Sequence, residues 1–133
     1  MRLEVINGSG DDEIKDYVSA CPNSLIYSFP SFIDLISDHL EACPGWILAK
    51  NGNGISGALP FVQSKPGDLG TVFNSLPYYG STGGVLQGVQ DDQAKRLLVE
   101  GYFDYAQSQN ACSTTVITNP LNMDHEIYES TIE

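Results

Sequence analysis

The stretch Tyr78-Tyr79-Gly80-Ser81-Thr82-Gly83-Gly84 gathers the residue types best suited to holding a ligand. Two adjacent tyrosines offer flat apolar faces with hydroxyl handles, which suit a sugar or a peptide. Three glycines let the backbone approach a bound molecule closely, and the N–H groups of such a turn can cradle a phosphate. The same residues also fit a wide turn that needs positive φ and packs its rings into the core. Tyr78, Tyr79, Gly80, Thr82, Gly83 and Gly84 are the candidate substrate-binding residues, with packing as the competing role.

Other chemistry-bearing residues are scattered. Cys21, Cys43 and Cys112 are odd in number and widely spaced, which matches neither a disulfide framework nor a zinc pattern. Cys21 and Cys43 each stand just before a proline and read as small apolar plugs, not nucleophiles. His39 falls on the apolar stripe of an expected helix with no second catalytic group beside it, and His125 lies in the carboxy-terminal stretch. Asp34, Asp38 and Glu41 recur along one helix face, as a solvated face requires. No metal site is expected, and no nucleophile and base can be paired.

Composition narrows the function classes. The chain has 133 residues, one domain by length, and its 41% hydrophobic content suffices for a single folded core. Seventeen acidic against six basic residues give a net charge of -11, which repels phosphate backbones and anionic membrane surfaces. Direct nucleic-acid binding is not expected. No apolar run approaches the length of a membrane span and the first residues carry no leader-like stretch, so the expectation is a cytoplasmic, soluble protein.

The elements that must position these residues follow from periodicity. Residues 2–6 alternate as a strand, and Asp11-Asp12-Glu13 caps a helix over 12–20 whose buried stripe is Ile14, Tyr17, Val18 and Cys21. Pro30 opens a second helix, to about residue 42, with an inward stripe of Phe32, Leu35, Ile36, His39, Leu40 and Cys43. Residues 46–50 and 55–62 form a hairpin around Asn51-Gly52-Asn53-Gly54, and Gly57 and Pro60 predict a bulge or bend near Pro60. A third strand over 71–76 pairs with 55–62 and feeds the glycine-rich stretch. From Asp91 a long helix buries Ala94, Leu97, Leu98, Gly101, Tyr102, Tyr105 and Ala106. The β-branched run over 112–118 reads as a strand in parallel pairing, and residues 121–133 read either as a short final helix that docks on the sheet or as the interrupted start of a further element.

The order strand, helix, helix, three strands, helix, strand resembles the first five strands and three helices of the GNAT acyltransferase fold. That predicts an α/β (α+β) class: a three-layer, GNAT-like domain over residues 1–133, with a mixed, mostly antiparallel sheet flanked by helices and possible incompleteness at its edge. Four segments narrow the resemblance: Ser28-Phe29-Pro30-Ser31-Phe32, Trp46-Ile47-Leu48-Ala49-Lys50, Gly57-Ala58-Leu59-Pro60-Phe61, and the stretch from Ser75 to Gly84. In order and spacing they are similar to the N-terminal half of FemAB-like proteins.

That resemblance implies the first half of a tandem-GNAT protein that transfers an aminoacyl or acyl group to an amine, in the best known cases on a peptidoglycan precursor for the cell wall. The implied partners are an amine-bearing small molecule or peptidoglycan precursor and a second GNAT-like domain. A working GNAT domain holds its donor pyrophosphate on the N–H groups at the start of its third helix, behind a Gln or Arg and a glycine pattern. Here that helix starts with Asp91-Asp92, which would repel a pyrophosphate. The expectation is that this chain binds no cofactor, acyl-CoA or aminoacyl-tRNA serving as donor only through a missing second half. The chain alone is expected to be inactive, its tyrosine-glycine stretch lining an acceptor cleft. The alternatives are a non-enzymatic interaction module on a GNAT scaffold, with the tyrosines packed shut, and a complete small acetyltransferase.

Overall fold

Polar and apolar residues alternate at the amino terminus to give β1 (Arg2–Asn7), the edge of a five-stranded sheet in the order β1-β2-β3-β4-β5. The computed structural model describes residues 2–21, 29–40, 42–52, 54–64, 71–75, 84–87, 91–116 and 129. After β1 come the helices α1 (Asp12–Ala20) and α2 (Pro30–Leu40), then β2 (Cys43–Asn51), β3 (Gly54–Ser64) and β4 (Thr71–Ser75). The long helix α3 (Asp92–Ser108) and β5 (Ala111–Val116) complete the described elements. Pairing is antiparallel from β1 to β4 and parallel between β4 and β5. The expected fold class and the parallel last strand are thus both observed. Residues 121–133, read from sequence as a docking helix or an interrupted element, lie outside the described residues except for Glu129.

Helices cover both faces of the sheet, which explains the unbroken buried runs in β2 and β3. On one face Leu98, Val99, Tyr102 and Ala106 of α3 pack on Ile47, Leu59, Phe61 and Phe73. Phe61, Phe73, Tyr102 and Tyr105 form an aromatic cluster with ring centroids 5.5 to 6.5 Å apart. Gly101 admits the helix onto β1, since a Cβ there would come within 2.6 Å of Leu3 Cδ1. On the other face Ile14 and Val18 of α1 and Ile33 of α2 pack on Trp46, Leu48, Ala58 and Val62. Trp46 is fully buried, as its place in β2 suggested, and its indole N–H donates to Ser9 O at 2.9 Å.

Helices α1 and α3 are each capped by the carboxylate just ahead of them. Asp11 Oδ1 accepts the N–H of Ile14 at 3.0 Å, and Asp91 Oδ1 accepts those of Gln93 and Ala94 at 3.1 and 3.2 Å. Lys50 on β2 reaches Glu13 of α1 at 3.1 Å and Glu4 of β1 at 3.6 Å, tying three elements at one edge.

Three expectations need correction. Helix α2 turns Ile33 and Ser37 inward, while Leu35 is 66% exposed. The stripe expected from sequence was therefore out of phase, because α2 is apolar over too much of its circumference for periodicity to fix the buried side. The side chains of Ile36, His39 and Leu40 lie outside the described residues. Cys43 is exposed, at the outer end of β2, and only Cys21 of the expected pair is a buried plug. Finally, β2 and β3 stay in register through Pro60, opposite Trp46, and the irregularity falls at Ala49 and Lys50, beside the hairpin tip. The reason Pro60 is tolerated lies on the other side of β3.

Candidate functional site

Strand β3 is paired with two separate described segments on its β4 side. The register of β4 against β3 sets Asn74 opposite Val62, so a continuous strand would place Tyr78 opposite Ala58. Ala58 instead exchanges both backbone hydrogen bonds with Leu86, at 3.0 and 2.7 Å. Leu86 is eight positions later, so eight residues more than a regular strand needs are accommodated between Ser75 and the return of the chain. Pro60 lies between these two pairings. Its nitrogen points to the same side of β3 as that of Ala58, away from β2, so its missing N–H forfeits no bond of the β2–β3 ladder.

The two segments are joined by one buried hydrogen bond. Gly84 N–H donates to Ser75 Oγ at 2.7 Å, and Ser75 is 1% exposed. Gly84 has φ of 93°, a left-handed conformation that glycine adopts without strain. Val85 then enters the core beneath α3 while Leu86 enters the core beneath α1, so the returning segment is packed on both faces. Tyr17 of α1 reaches across the second face and sets its hydroxyl 3.5 Å from Leu86 O. The Cys21 thiol lies behind it, its pKa pushed up by burial and drawn back in part by a hydrogen bond with Tyr17.

On the other side of β4, it and β5 stay paired to their described ends, Ser75 opposite Val116. Thr115 Oγ1 donates to Asn74 Oδ1 across this pair, and Tyr102 O–H donates to Thr115 O at 2.9 Å. Open α/β sheets bind ligands just beyond the carboxyl ends of their parallel strands. The chain leaves β4 at just such an end.

The start of α3 is the second half of the site, and the N–H groups of Gln93 and Ala94 there are already engaged. Besides the two N–H groups taken by Asp91, the Asp91 N–H donates to Gln87 Oε1 at 3.2 Å. Gln87, 5% exposed, in turn donates from Nε2 to Asp91 O at 3.2 Å and to Ser56 O at 3.4 Å. This buckle fixes the helix start against β3. A pyrophosphate bound there would have to displace the Asp91 carboxylate and would meet Asp92 in the first turn.

Of the residues singled out from sequence, Gly84 is described, buried, and part of the closure. Tyr78, Tyr79, Gly80, Thr82 and Gly83 lie outside the described residues. The structure adds Ser75 and Gln87, to which sequence reading gave no role, and brings in Tyr17, read only as part of a buried helix stripe. Among the described residues no three His, Cys, Asp or Glu side chains gather as a metal-binding set, and no helix is long and apolar enough to cross a membrane. A groove of about 640 Å³ between the hairpin tip and α3 is lined, among the described residues, by Asn51, Gln93, Arg96, Leu97 and Glu100.

No family model matches the chain, and no curated protein matches it in sequence. Solved structures do match in fold. A crystal structure described as a probable acetyltransferase is similar over 98% of this chain and 87% of its own, with a TM-score of 0.58 and 18% identity. The Thermus thermophilus protein TTHA1254 is similar over 99% of this chain and 85% of its own, with a TM-score of 0.59 and 12% identity. The likeness is one of fold: five strands of mixed direction with helices on both faces, as in an acetyltransferase-like, GNAT-like scaffold.

Proposed function

We propose that this chain is the acceptor-binding or structural half of a FemAB-like N-acyltransferase. It orients an amine, on a cell-wall precursor or a smaller molecule, toward an acyl or aminoacyl donor held by a second GNAT-like domain. The observation that carries this reading is the self-capped start of α3. The N–H groups of Gln93 and Ala94 in its first turn are taken by Asp91, with Gln87 bonded to both the N–H and the carbonyl of the cap, and this supports a donor held elsewhere. The acceptor role is supported by the order of the chain, in which the tyrosine-glycine stretch directly follows β4. Transfer of this kind needs the amine held near an activated ester more than it needs a nucleophile on the protein. A second reading, an interaction module on the same scaffold, is favoured by the outward apolar face of α2.

Calorimetric titration tests the first reading. Wild-type chain is expected to bind a peptidoglycan precursor, a Tyr78→Ala/Tyr79→Ala variant to bind it at least about tenfold more weakly, equivalent to 1.4 kcal/mol, and neither to bind acetyl-CoA. Equal precursor binding by both forms, or none by wild type, removes the acceptor role. Measurable acetyl-CoA binding by the wild type would show that the Asp91 cap yields to a phosphate.

A further inference from the structure

Helix α2 presents apolar surface to solvent as well as to the core. At about 100° per residue, Ile33 and Ser37 mark the side that packs inward, and Leu35 projects almost opposite to Ile33. Leu35 is 66% exposed, and Phe29, just before the first turn, is 37% exposed. Phe32, half-buried, lies between them. A lone exposed leucine is ordinary on a protein surface. Phe29, Phe32 and Leu35, however, are spaced three apart and form one ridge along the helix. The arc from Ile33 through Phe32 to Leu35 covers about 160°, beyond the roughly 100° that packing on one sheet uses.

Charge decides what could lie on this ridge. Asp34 and Asp38 are exposed, one turn apart, and run along one flank of Leu35. A second copy would bring like carboxylates together, and each copy has a net charge of -11. A neutral apolar segment would leave both carboxylates half desolvated and unpaired.

We infer that the Phe29, Phe32 and Leu35 ridge docks a basic amphipathic helix of a partner protein. The partner's apolar stripe covers Leu35 and Phe32, and Lys or Arg residues one turn apart along its edge meet Asp34 and Asp38. This surface lies on a helix, away from the start of α3, and does not depend on the acyl-transfer reading.

The test is fluorescence anisotropy with a labelled leucine-lysine amphipathic helical peptide and its leucine-glutamate counterpart. Wild type is expected to bind the lysine peptide and not the glutamate one. Leu35→Gln is expected to weaken binding about tenfold or more, as for loss of a central apolar anchor. Asp34→Asn/Asp38→Asn is expected to weaken it and flatten its salt dependence. All three side chains are exposed, so melting curves serve as a folding control. Lysine-peptide binding that ignores either variant overturns the proposal, as does no binding by wild type. Concentration-dependent dimerisation abolished by Leu35→Gln would assign the ridge to a second copy instead.

Discussion

Replacing Ser75 with alanine removes the buried acceptor of the Gly84 N–H without adding bulk. A buried donor left unpaired costs about 1–3 kcal/mol, more than the net worth of an average hydrogen bond. The expected outcome is a lower urea midpoint with an unchanged slope, since folding remains cooperative and only the closure is lost. An unchanged midpoint would mean that the Ser75 hydroxyl does not tie Gly84 to the end of β4. Sequence could not assign this role: Ser75 closes a strand and precedes a leucine, and its partner stands nine residues on, across a stretch whose path no local pattern predicts. Trp46 is the opposite case. An aromatic residue at the start of an apolar strand run is more often core than contact, and Trp46 is fully buried.

At the scale of elements, helix starts were legible because capping is local. Asp11 and Asp91 each act on N–H groups two or three residues away, so acidic residues ahead of a periodic apolar pattern identify them. Asp91→Ala should destabilise the fold by about 1 kcal/mol, whereas Asp91→Asn should keep most of the cap. Thermal melts of the two variants check this, and equal losses would mean that charge, not the oxygen acceptor, does the work. Helix α2 shows the limit of the same method. Its apolar residues cover so much of the helix that several inward faces were compatible with them, and the sheet selected Ile33 and Ser37. Strand β3 shows another limit. Pro60 was expected to bend its strand, yet β2 pairs with it in register and the irregularity falls at Ala49 and Lys50.

For the whole molecule, groups in three places titrate in the same direction. Burial raises the Cys21 thiol above its ordinary 9.0, and burial raises the Tyr102 hydroxyl far above 10.0. Lys50 is raised above 10.5, first by its hydrogen bond with Glu13 and then by the charges of Glu13 and Glu4. Each holds its proton longer in the folded chain than in the unfolded one, so above these ordinary values the unfolded chain binds fewer protons. Stability is therefore full below about pH 9 and is lost as pH rises, first through Cys21 and then through Tyr102 and Lys50. Urea unfolding at increasing pH from neutrality should show midpoints falling above this point. Tyr102→Phe, although it gives up the bond to Thr115 O, should flatten the fall. A flat wild-type profile across that range would refute the assignment.

The sequence by itself determined the order and kind of the elements, their caps, the parallel last strand and the acidic start of α3, because periodicity, capping and turn chemistry act over a few residues. It pointed to the tyrosine-glycine stretch by composition. Only the tertiary structure decided that Leu86 pairs with Ala58, since that pairing joins residues far apart in the chain. It also decided that Leu35 faces out, since which side of an over-apolar helix is buried depends on the sheet beneath it.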